Sequence, residues 1–338
     1  MTDTNQQLMD AFDARVERRN DRREFFKAAF GAAAVAGAGA AALSLESVVN
    51  AQTAPTELEV LNFALNLEYL EAQFYLIALN GPDGGLSAAL KASGAGVAGG
   101  TTLGGTKVDF SGDTVVGSYA KEIAADELAH VTFLRNQLGS SAVGMPNLDI
   151  RGGVGGPFSA AATAAALPGA ATFSPYSSPE NFLLGAFIFE DVGVTAYKGA
   201  ARYITTPTYI EAAAGILAVE AYHASIIRTS LYSKGIQTPS KLLIEATQGI
   251  SNARDSLDGA PTLNATLGIG PDDDQGVGTD PLTAGASNIA PLNANGLAYS
   301  RTPGQVLNIV YLNRAAVAMG GFFPNGVNGT IKTSAASG

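Results

Sequence analysis

Four long stretches of the chain are rich in apolar residues and are bounded by residues that begin and end helices. Thr56-Glu57-Leu58-Glu59 has the form of a capping box, and the apolar run behind it predicts a helix over 57–79. This run is apolar almost all round, which is typical of a helix buried among other helices. A second run predicts a helix over 113–138, with Gly139 at its C-terminal end.

A serine or threonine followed by proline marks the start of each later helix. Ser178-Pro179 begins a predicted helix to Ile204, and Thr206-Pro207 begins another that ends at about Lys234-Gly235. Because so few residues join these two helices, we expect them to lie antiparallel. The same signal predicts two further helices near the C-terminus, over 239–255 and 303–319.

Segments without helical periodicity separate these runs. Residues 81–112 predict an insertion after the first helix, with a short hairpin over 101–110, and residues 139–177 are long enough to predict a crossover between the second and third helices. The predicted fold class is therefore all-α. We expect a four-helix bundle over 52–235, with a long crossover and an insertion, and a C-terminal extension over 236–338 with additional helices.

Residues 1–51 predict an export signal rather than part of the bundle. Arg22-Arg23 precedes Phe25-Phe26-Lys27 and an Ala/Gly-rich apolar run, and this pattern resembles a twin-arginine signal. Small residues at Val49-Asn50-Ala51 predict cleavage after Ala51. A twin-arginine translocase would then deliver the folded protein to the periplasm or the cell exterior. The alternative is a retained membrane anchor, because the apolar run is nearly long enough to cross a bilayer.

The composition excludes several kinds of site. The 338 residues include no cysteine, so disulfides, zinc–thiolate sites, iron–sulfur clusters and thiol catalysis are ruled out. The net charge of −10 argues against nucleic acid as a partner. Any metal ion must be held by oxygen and imidazole ligands, which suit iron, manganese or zinc.

Both histidines of the chain stand three residues after a glutamate, in Glu127-x-x-His130 and Glu220-x-x-His223. Residues three apart lie on one face of a helix, so each glutamate and its histidine can reach a single ion together. The repeated spacing on the second and fourth predicted helices indicates one site built by both helices.

The first and third predicted helices repeat as well. Glu68 aligns with Glu190, and a tyrosine follows each glutamate after seven residues, at Tyr75 and Tyr197. In this register Glu71 falls opposite Gly193, so Glu68 is the acid that the repeat selects. The tyrosines are expected in the core, and the alternative is that they donate a hydrogen bond to a metal ligand or pass electrons.

The repeat predicts six metal ligands on four helices: Glu68, Glu127, His130, Glu190, Glu220 and His223. Four buried carboxylates neutralise the charge of two divalent cations, which makes the buried site electrically tolerable only when metal is present. We expect Glu127 and Glu220 to bridge two iron or two manganese ions and to be the catalytic carboxylates. This ligand set tolerates oxidised and reduced metal, which favours peroxide or O2 chemistry over hydrolysis.

Nearby charged residues have simpler interpretations. Arg135 and Arg228 each follow a site glutamate by eight residues, and we expect them to fix carboxylate orientation without binding metal. The alternative is that they form buried ion pairs with Glu68 and Glu190. Glu71, Asp126 and Asp191 are expected at the helix surface or behind the ligands.

The run LNFALNLEYLEAQFY at 61–75, the two Glu-x-x-His helices and the stretch over 301–307 together resemble the ferritin-like superfamily. Within it they are similar to the desiccation-related ferritin-like domain proteins. The resemblance covers about 57–234 and, more loosely, the C-terminal part. It implies a di-metal carboxylate centre inside a four-helix bundle.

Three functions follow as expectations. The first is an oxidoreductase of the catalase or peroxidase kind that protects the cell envelope against oxidative stress. The second is a non-enzymatic, extracellular protein that protects against desiccation and keeps its metal for stability. The third is iron sequestration by ferroxidase chemistry, which requires a closed homo-oligomer. The insertion and the C-terminal extension argue against a hollow shell.

Overall fold

The residues described by the computed structural model, 54–259, 275–278, 285–293 and 295–337, form eight α-helices and one sheet of two short strands. The bundle helices are α1 (Glu57–Asn80), α3 (Thr114–Leu138), α5 (Pro179–Ala200) and α6 (Pro207–Gln237). The others are α2 (Ala88–Lys91), α4 (Pro157–Ala164), α7 (Leu243–Asp258) and α8 (Pro303–Val310). The predicted export signal over 1–51 lies outside the described residues.

Side-chain caps begin the bundle helices where the sequence predicts them. The backbone N–H of Thr56 donates to the Glu59 carboxylate over 2.8 Å, and the Thr56 hydroxyl accepts from the Glu59 backbone, which completes the capping box. Asp113 caps α3 and Ser178 caps α5, each through a 3.1 Å hydrogen bond. Each such cap contributes about 1 kcal/mol, so the first turn of each helix forms at a defined residue.

The bundle consists of two helix pairs. Helix α1 packs along α3, α5 packs along α6, and the two pairs meet through α1 with α5 and α3 with α6. The segment between α3 and α5 contains a strand and α4, so it is the long crossover that its length predicts. The all-α fold class, with its insertion after the first helix and its extra C-terminal helices, is confirmed.

Aromatic rings fill the core between α1 and α5 and join it to the C-terminal segment. The rings of Phe74 and Phe182 stack with centroids 5.4 Å apart. Phe322, from the C-terminal segment, lies 5.0 Å from Phe158 and 4.9 Å from Phe189. Burying one such side chain contributes roughly 1.5–3 kcal/mol. The C-terminal residues thus cover the side of the bundle formed by α1 and α5.

The prediction of a hairpin over 101–110 is wrong, because the strand in this region pairs with a different part of the chain. The strand β1 (Thr102–Leu103) pairs in parallel with β2 (Leu148–Asp149), which comes from the crossover. Gly104 and Gly105 end β1 with positive φ values of 84° and 86°. The chain then returns to α1, where the backbone N–H of Val108 donates to the Ala78 carbonyl over 2.8 Å.

Several predicted helix ends differ from the structure. Helix α5 ends at Ala200 rather than Ile204, and α7 spans Leu243–Asp258 rather than 239–255. Helix α6 continues two residues past Gly235 to Gln237; Gly235 allows close packing there, since a Cβ would lie 2.7 Å from Ile244 Cγ1. The last helix ends at Val310 instead of Met319, and Leu312 adopts a positive φ of 53°. The backbone N–H of Phe322 donates to the Val310 carbonyl over 2.9 Å, so tertiary contacts replace the continued helix.

Among the described helices, α6 alone is long and apolar enough to cross a bilayer, with a mean hydropathy of 1.3 over its most apolar window. Core helices of water-soluble bundles satisfy the same condition. Since α6 directs Glu220 and His223 into the bundle, we interpret it as a bundle helix.

Candidate metal centre

Six buried side chains from the four bundle helices converge on one region of the interior. Glu68 comes from α1, Glu127 and His130 from α3, Glu190 from α5, and Glu220 and His223 from α6. They form two sets whose potential ligand atoms all lie within 4.8 Å of one another: Glu68, Glu127, His130 and Glu220 in the first, and Glu127, Glu190 and His223 in the second. Each set has the size and donor types of a metal site.

The distances show how the two sets share one carboxylate. Glu127 Oε1 lies 3.1 Å from Nδ1 of His223, while its Oε2 lies 3.8 Å from Nδ1 of His130. Glu68 lies 3.2 Å from the same His130 nitrogen, and Glu190 lies 3.6 Å from the His223 nitrogen. Glu127 therefore spans both sets, as a bridging carboxylate would.

Glu220 is placed differently from Glu127. Its Oε1 lies 3.6 Å from His130 Nδ1, and it belongs to the first set only. The two Glu-x-x-His motifs are therefore equivalent in sequence but not in the geometry of their carboxylates.

Eight potential metal-binding atoms of these six residues are buried and have no hydrogen-bond partner among the described residues. They are Glu68 Oε2, both oxygens of Glu127 and of Glu220, Glu190 Oε2, and Nδ1 of His130 and His223. The contacts between them are close enough for ion pairing but lack hydrogen-bond geometry. A buried carboxylate without a partner costs several kcal/mol, and cations in the centre would satisfy all eight atoms. The residues present therefore fit a metal centre.

Without metal, protons on the imidazoles are the available counter-charge. Burial alone would lower the pKa of His130, but contacts with Glu127 and Glu68 raise it to about 10. Burial likewise opposes charge on His223, but the negative charge of Glu190 and contacts with Glu127 raise its pKa to about 12. Burial opposes charge on Glu127 too, yet the two histidines hold its pKa at about 2.

The other carboxyls of the cluster are pushed toward their neutral forms. Burial, together with the charge of Glu127, raises the pKa of Glu68 to about 7 and that of Glu220 well above its ordinary value. Burial also raises the pKa of Glu190. The four carboxylates of the cluster therefore repel one another more than the two protonated histidines can offset. Bound metal ions would add positive charge and relieve this repulsion.

Two tyrosines connect the helix pairs through the cluster. The hydroxyl of Tyr75 on α1 donates to Glu190 on α5, and the hydroxyl of Tyr197 on α5 donates to Glu68 on α1. Burial raises the pKa of both hydroxyls well above the usual range, so they keep their protons and remain donors. The expectation of a core position is confirmed, and each tyrosine also donates a hydrogen bond to a carboxylate of the opposite pair; whether that carboxylate binds metal stays a prediction.

Asp126 contacts one histidine from outside the cluster. Its Oδ2 lies 3.1 Å from Nε2 of His223. A carboxylate only accepts, so the Nε2–H donates and Nδ1 faces the cluster. Val219 precedes Glu220 at the position that Asp126 has before Glu127, so the repeat does not provide His130 with the same contact.

The expected role of the two arginines is wrong. Arg135 donates to Tyr69 and to carbonyl groups near α2, while Arg228 donates to Asp191 over 2.7 Å. Asp191 also accepts from Arg254 over 2.9 Å, so these three residues form a separate buried cluster behind α5. Asp191 follows the inward-facing Glu190 on α5, so the helical period directs it away from the cluster, and Arg228 from α6 and Arg254 from α7 meet it there.

The two halves of the site differ at one aligned position, which is Glu71 on α1 and Gly193 on α5. Glu71 is only 5% exposed, so of the two expected positions it takes the one behind the candidate ligands rather than the helix surface. A Cβ at Gly193 would lie 2.3 Å from Glu220 Oε2 and 3.5 Å from Glu71 Oε1. The glycine therefore provides the space that the Glu220 carboxylate occupies. In the sequence repeat, Glu71 of the first half aligns with Gly193 of the second half. This difference was the sequence signal that the two halves of the site are not equivalent.

Fold and site together define a class of protein: a four-helix bundle that holds a buried carboxylate–histidine cluster between two repeated helix pairs. The family model of the ferritin-like domain matches residues 56–233, and the chain belongs to this family. It is 28% identical to a protein named ferritin-like catalase Nec2 from Nesocodon mauritianus, over 81% of this chain and 84% of that one. It is also 28% identical to desiccation-related protein PCC13-62 from Craterostigma plantagineum, over 75% of this chain and 76% of the relative.

Proposed function

We propose that this protein is a di-metal oxidoreductase of the catalase kind, with two iron or two manganese ions held by the six residues of the cluster. The observation that carries the proposal is the group of eight unpartnered donor atoms around a shared Glu127. Similarity to a protein named ferritin-like catalase supports peroxide as the substrate.

Bound iron or manganese would supply reversible redox chemistry. Hydrogen peroxide can serve as both oxidant and reductant, since one molecule is reduced to water while a second is oxidised to O2. Such a reaction needs no external electron donor, and for this reason we favour it over a peroxidase reaction.

The protein's own residues would hold and shield the centre. Glu68 with His130 and Glu190 with His223 are the ligand pairs proposed for the two ions, and Glu127 joins them. Glu220, whose carboxylate occupies the space left by the missing side chain of Gly193, is the second proposed catalytic carboxylate. Tyr75 and Tyr197 fix carboxylate orientation through their hydrogen bonds, and the apolar residues around them exclude water.

Peroxide turnover by metal-loaded protein tests the proposal. Protein loaded with manganese or with iron should release O2 from hydrogen peroxide, and Glu127→Ala should abolish this activity. Glu122→Ala, on the exposed face of the same helix, is the matched control and should retain activity. Wild-type protein that binds either metal yet releases no O2 would reject the catalase function.

A structural role in desiccation is the second candidate, and similarity to a desiccation-related protein favours it. Metal would then stabilise the bundle without turnover, because a ligand that binds only the folded state raises its stability. Removal of metal should lower the melting temperature while peroxide turnover is absent from both forms. A shell-sized particle in light scattering would instead support iron sequestration.

We further propose that the protein is exported through the twin-arginine route to the periplasm or the cell exterior. The support is the sequence around Arg22 and Arg23. Changing both residues to lysine should retain the protein in the cytoplasm of its host, and the exported form should begin at Gln52. Export of the double variant would reject the route, and an uncleaved, membrane-bound wild-type protein would support an anchor.

A further inference from the structure

A small cavity lies between α1, α5 and α8, next to the metal-site residues. Its volume is about 10 Å³, and its lining residues are Leu67, Leu70, Glu71, Phe189, Val192, Gly193 and Val310. A space of this size accommodates about one water-sized molecule. Glu71 is the only charged residue in the lining, and the rest of the wall is apolar.

The Glu71 side chain is only 5% exposed, and among the described residues none donates a hydrogen bond to its carboxyl or forms an ion pair with it. Its oxygens are not among the fully enclosed unpartnered atoms of the metal-site cluster, so they border an accessible space. A buried carboxyl without a hydrogen-bond partner costs several kcal/mol, so such groups in folded proteins usually face a water or a ligand. The cavity is the space from which a donor can reach it.

Glu71 also lies beside the metal-site residues without joining either donor set. Its oxygens are not among the atoms that lie within 4.8 Å of one another in the two sets. The position of a Cβ on Gly193 would be 3.5 Å from Glu71 Oε1 and 2.3 Å from Glu220 Oε2. Glu71 and Glu220 therefore both approach Gly193, where the missing side chain leaves room for the Glu220 carboxylate beside Glu71.

We propose that this cavity is the binding seat of the small oxidant, with Glu71 accepting a hydrogen bond from hydrogen peroxide beside the metal centre. The proposal rests on the proposed function. Hydrogen peroxide carries two O–H donors and is little larger than water, so it matches both the single acceptor and the small volume. The apolar wall, including Val310 from the C-terminal segment, limits the ligand to this size class.

Substitutions at Glu71 test this seat in the metal-loaded protein. Glu71→Leu removes the acceptor and should raise the KM for hydrogen peroxide about 3- to 10-fold with a smaller change in kcat, as expected for one lost hydrogen bond. Glu71→Gln keeps an acceptor oxygen and should restore most of the KM. Glu122→Leu and Glu122→Gln make the same changes on an exposed helix face and should have no effect.

A second readout does not depend on turnover. Crystals of the metal-loaded wild type and of Glu71→Gln should show an ordered solvent molecule in the cavity, hydrogen-bonded to residue 71. This molecule should be absent from Glu71→Leu and from Val310→Leu, which fills the cavity from the other side. Val310→Leu also tests the seat independently if Glu71→Leu does not fold.

Three results would overturn the proposal. Loss of metal from both Glu71 variants would show that Glu71 is a ligand, and an unchanged KM in Glu71→Leu with full metal content would show that peroxide binds elsewhere. An empty cavity in the loaded wild-type crystal would also reject it. If the wild type shows no turnover but keeps the ordered molecule at Glu71, the catalase function fails while the cavity remains a small-ligand site.

Discussion

The hydroxyl of Tyr75 donates a hydrogen bond to Glu190, which belongs to the opposite helix pair and lies 115 residues further along the chain. Tyr197 makes the reciprocal contact with Glu68, 129 residues away. Glu190 and Glu68 are thus each oriented by a tyrosine from the other half of the repeat. Orientation of the site therefore depends on assembly of the two halves.

We expect Tyr75→Phe to lower metal affinity about 10-fold while the fold is retained, because the variant removes only the hydroxyl that orients Glu190. Competition with a chelator of known affinity measures this change. Tyr222→Phe is the control, since Tyr222 lies on α6 with 70% of its surface exposed and should bind metal like the wild type. Equal affinity in Tyr75→Phe and wild type would show that the hydrogen bond does not orient a ligand.

Metal binding should release protons, and its affinity should rise with pH. In the metal-free protein the pKa of His130 is about 10 and that of His223 about 12, so both imidazoles are protonated at neutral pH. Nδ1 must lose its proton to bind a metal ion, so acid competes with metal and raising the pH toward 10 favours metal. Calorimetry in buffers of different ionisation enthalpy should report release of at least two protons, one from each imidazole, with further protons from Glu68 and Glu220, whose pKa values are raised. Binding independent of pH between 6 and 9 would contradict this account.

Gly193→Ala should disrupt the site without a large effect on helix α5. The added Cβ would lie 2.3 Å from Glu220 Oε2, closer than any contact can remain, so the Glu220 carboxylate must move. We expect reduced metal content by elemental analysis and reduced peroxide turnover. Gly215→Ala is the matched control, because nothing lies within 4 Å of its Cβ and alanine stabilises a helix interior by about 0.5–1 kcal/mol relative to glycine. A Gly193→Ala protein with full metal content and activity would contradict the predicted contact.

Asp191→Ala should destabilise the fold rather than the metal centre directly. Asp191 accepts from Arg228 over 2.7 Å and from Arg254 over 2.9 Å, and both arginines are buried. Removing the acid leaves two buried positive charges without it, which costs roughly 3–5 kcal/mol. Urea denaturation of the metal-free protein measures the loss, with the exposed Asp83→Ala as control. A loss below about 1 kcal/mol would show that this cluster does not stabilise the bundle.

Local signals were sufficient to predict most of the helices. The Thr56 and Ser178 caps and the apolar runs behind them depend on contacts between residues close in sequence, so the positions of α1 and α5 could be predicted directly. The repeat also placed six candidate ligands on helix faces that the structure brings together, although their role as metal ligands stays a prediction. Helical periodicity determines which side chains share a face, and the sequence contains that information.

The sequence did not show which residues each helix face would contact. The sequence around Gly235 predicts a helix end, but in the structure Ile244 packs against this glycine. The spacing of Arg228 predicts a contact with the metal-site glutamates, but in the structure Arg228 donates to Asp191. The position of the Glu71 carboxyl could not be predicted either, because it depends on the space left by Gly193 on the neighbouring helix. Spacing along one helix predicts direction, whereas contacts between helices depend on how they pack, and only the tertiary structure decided those contacts.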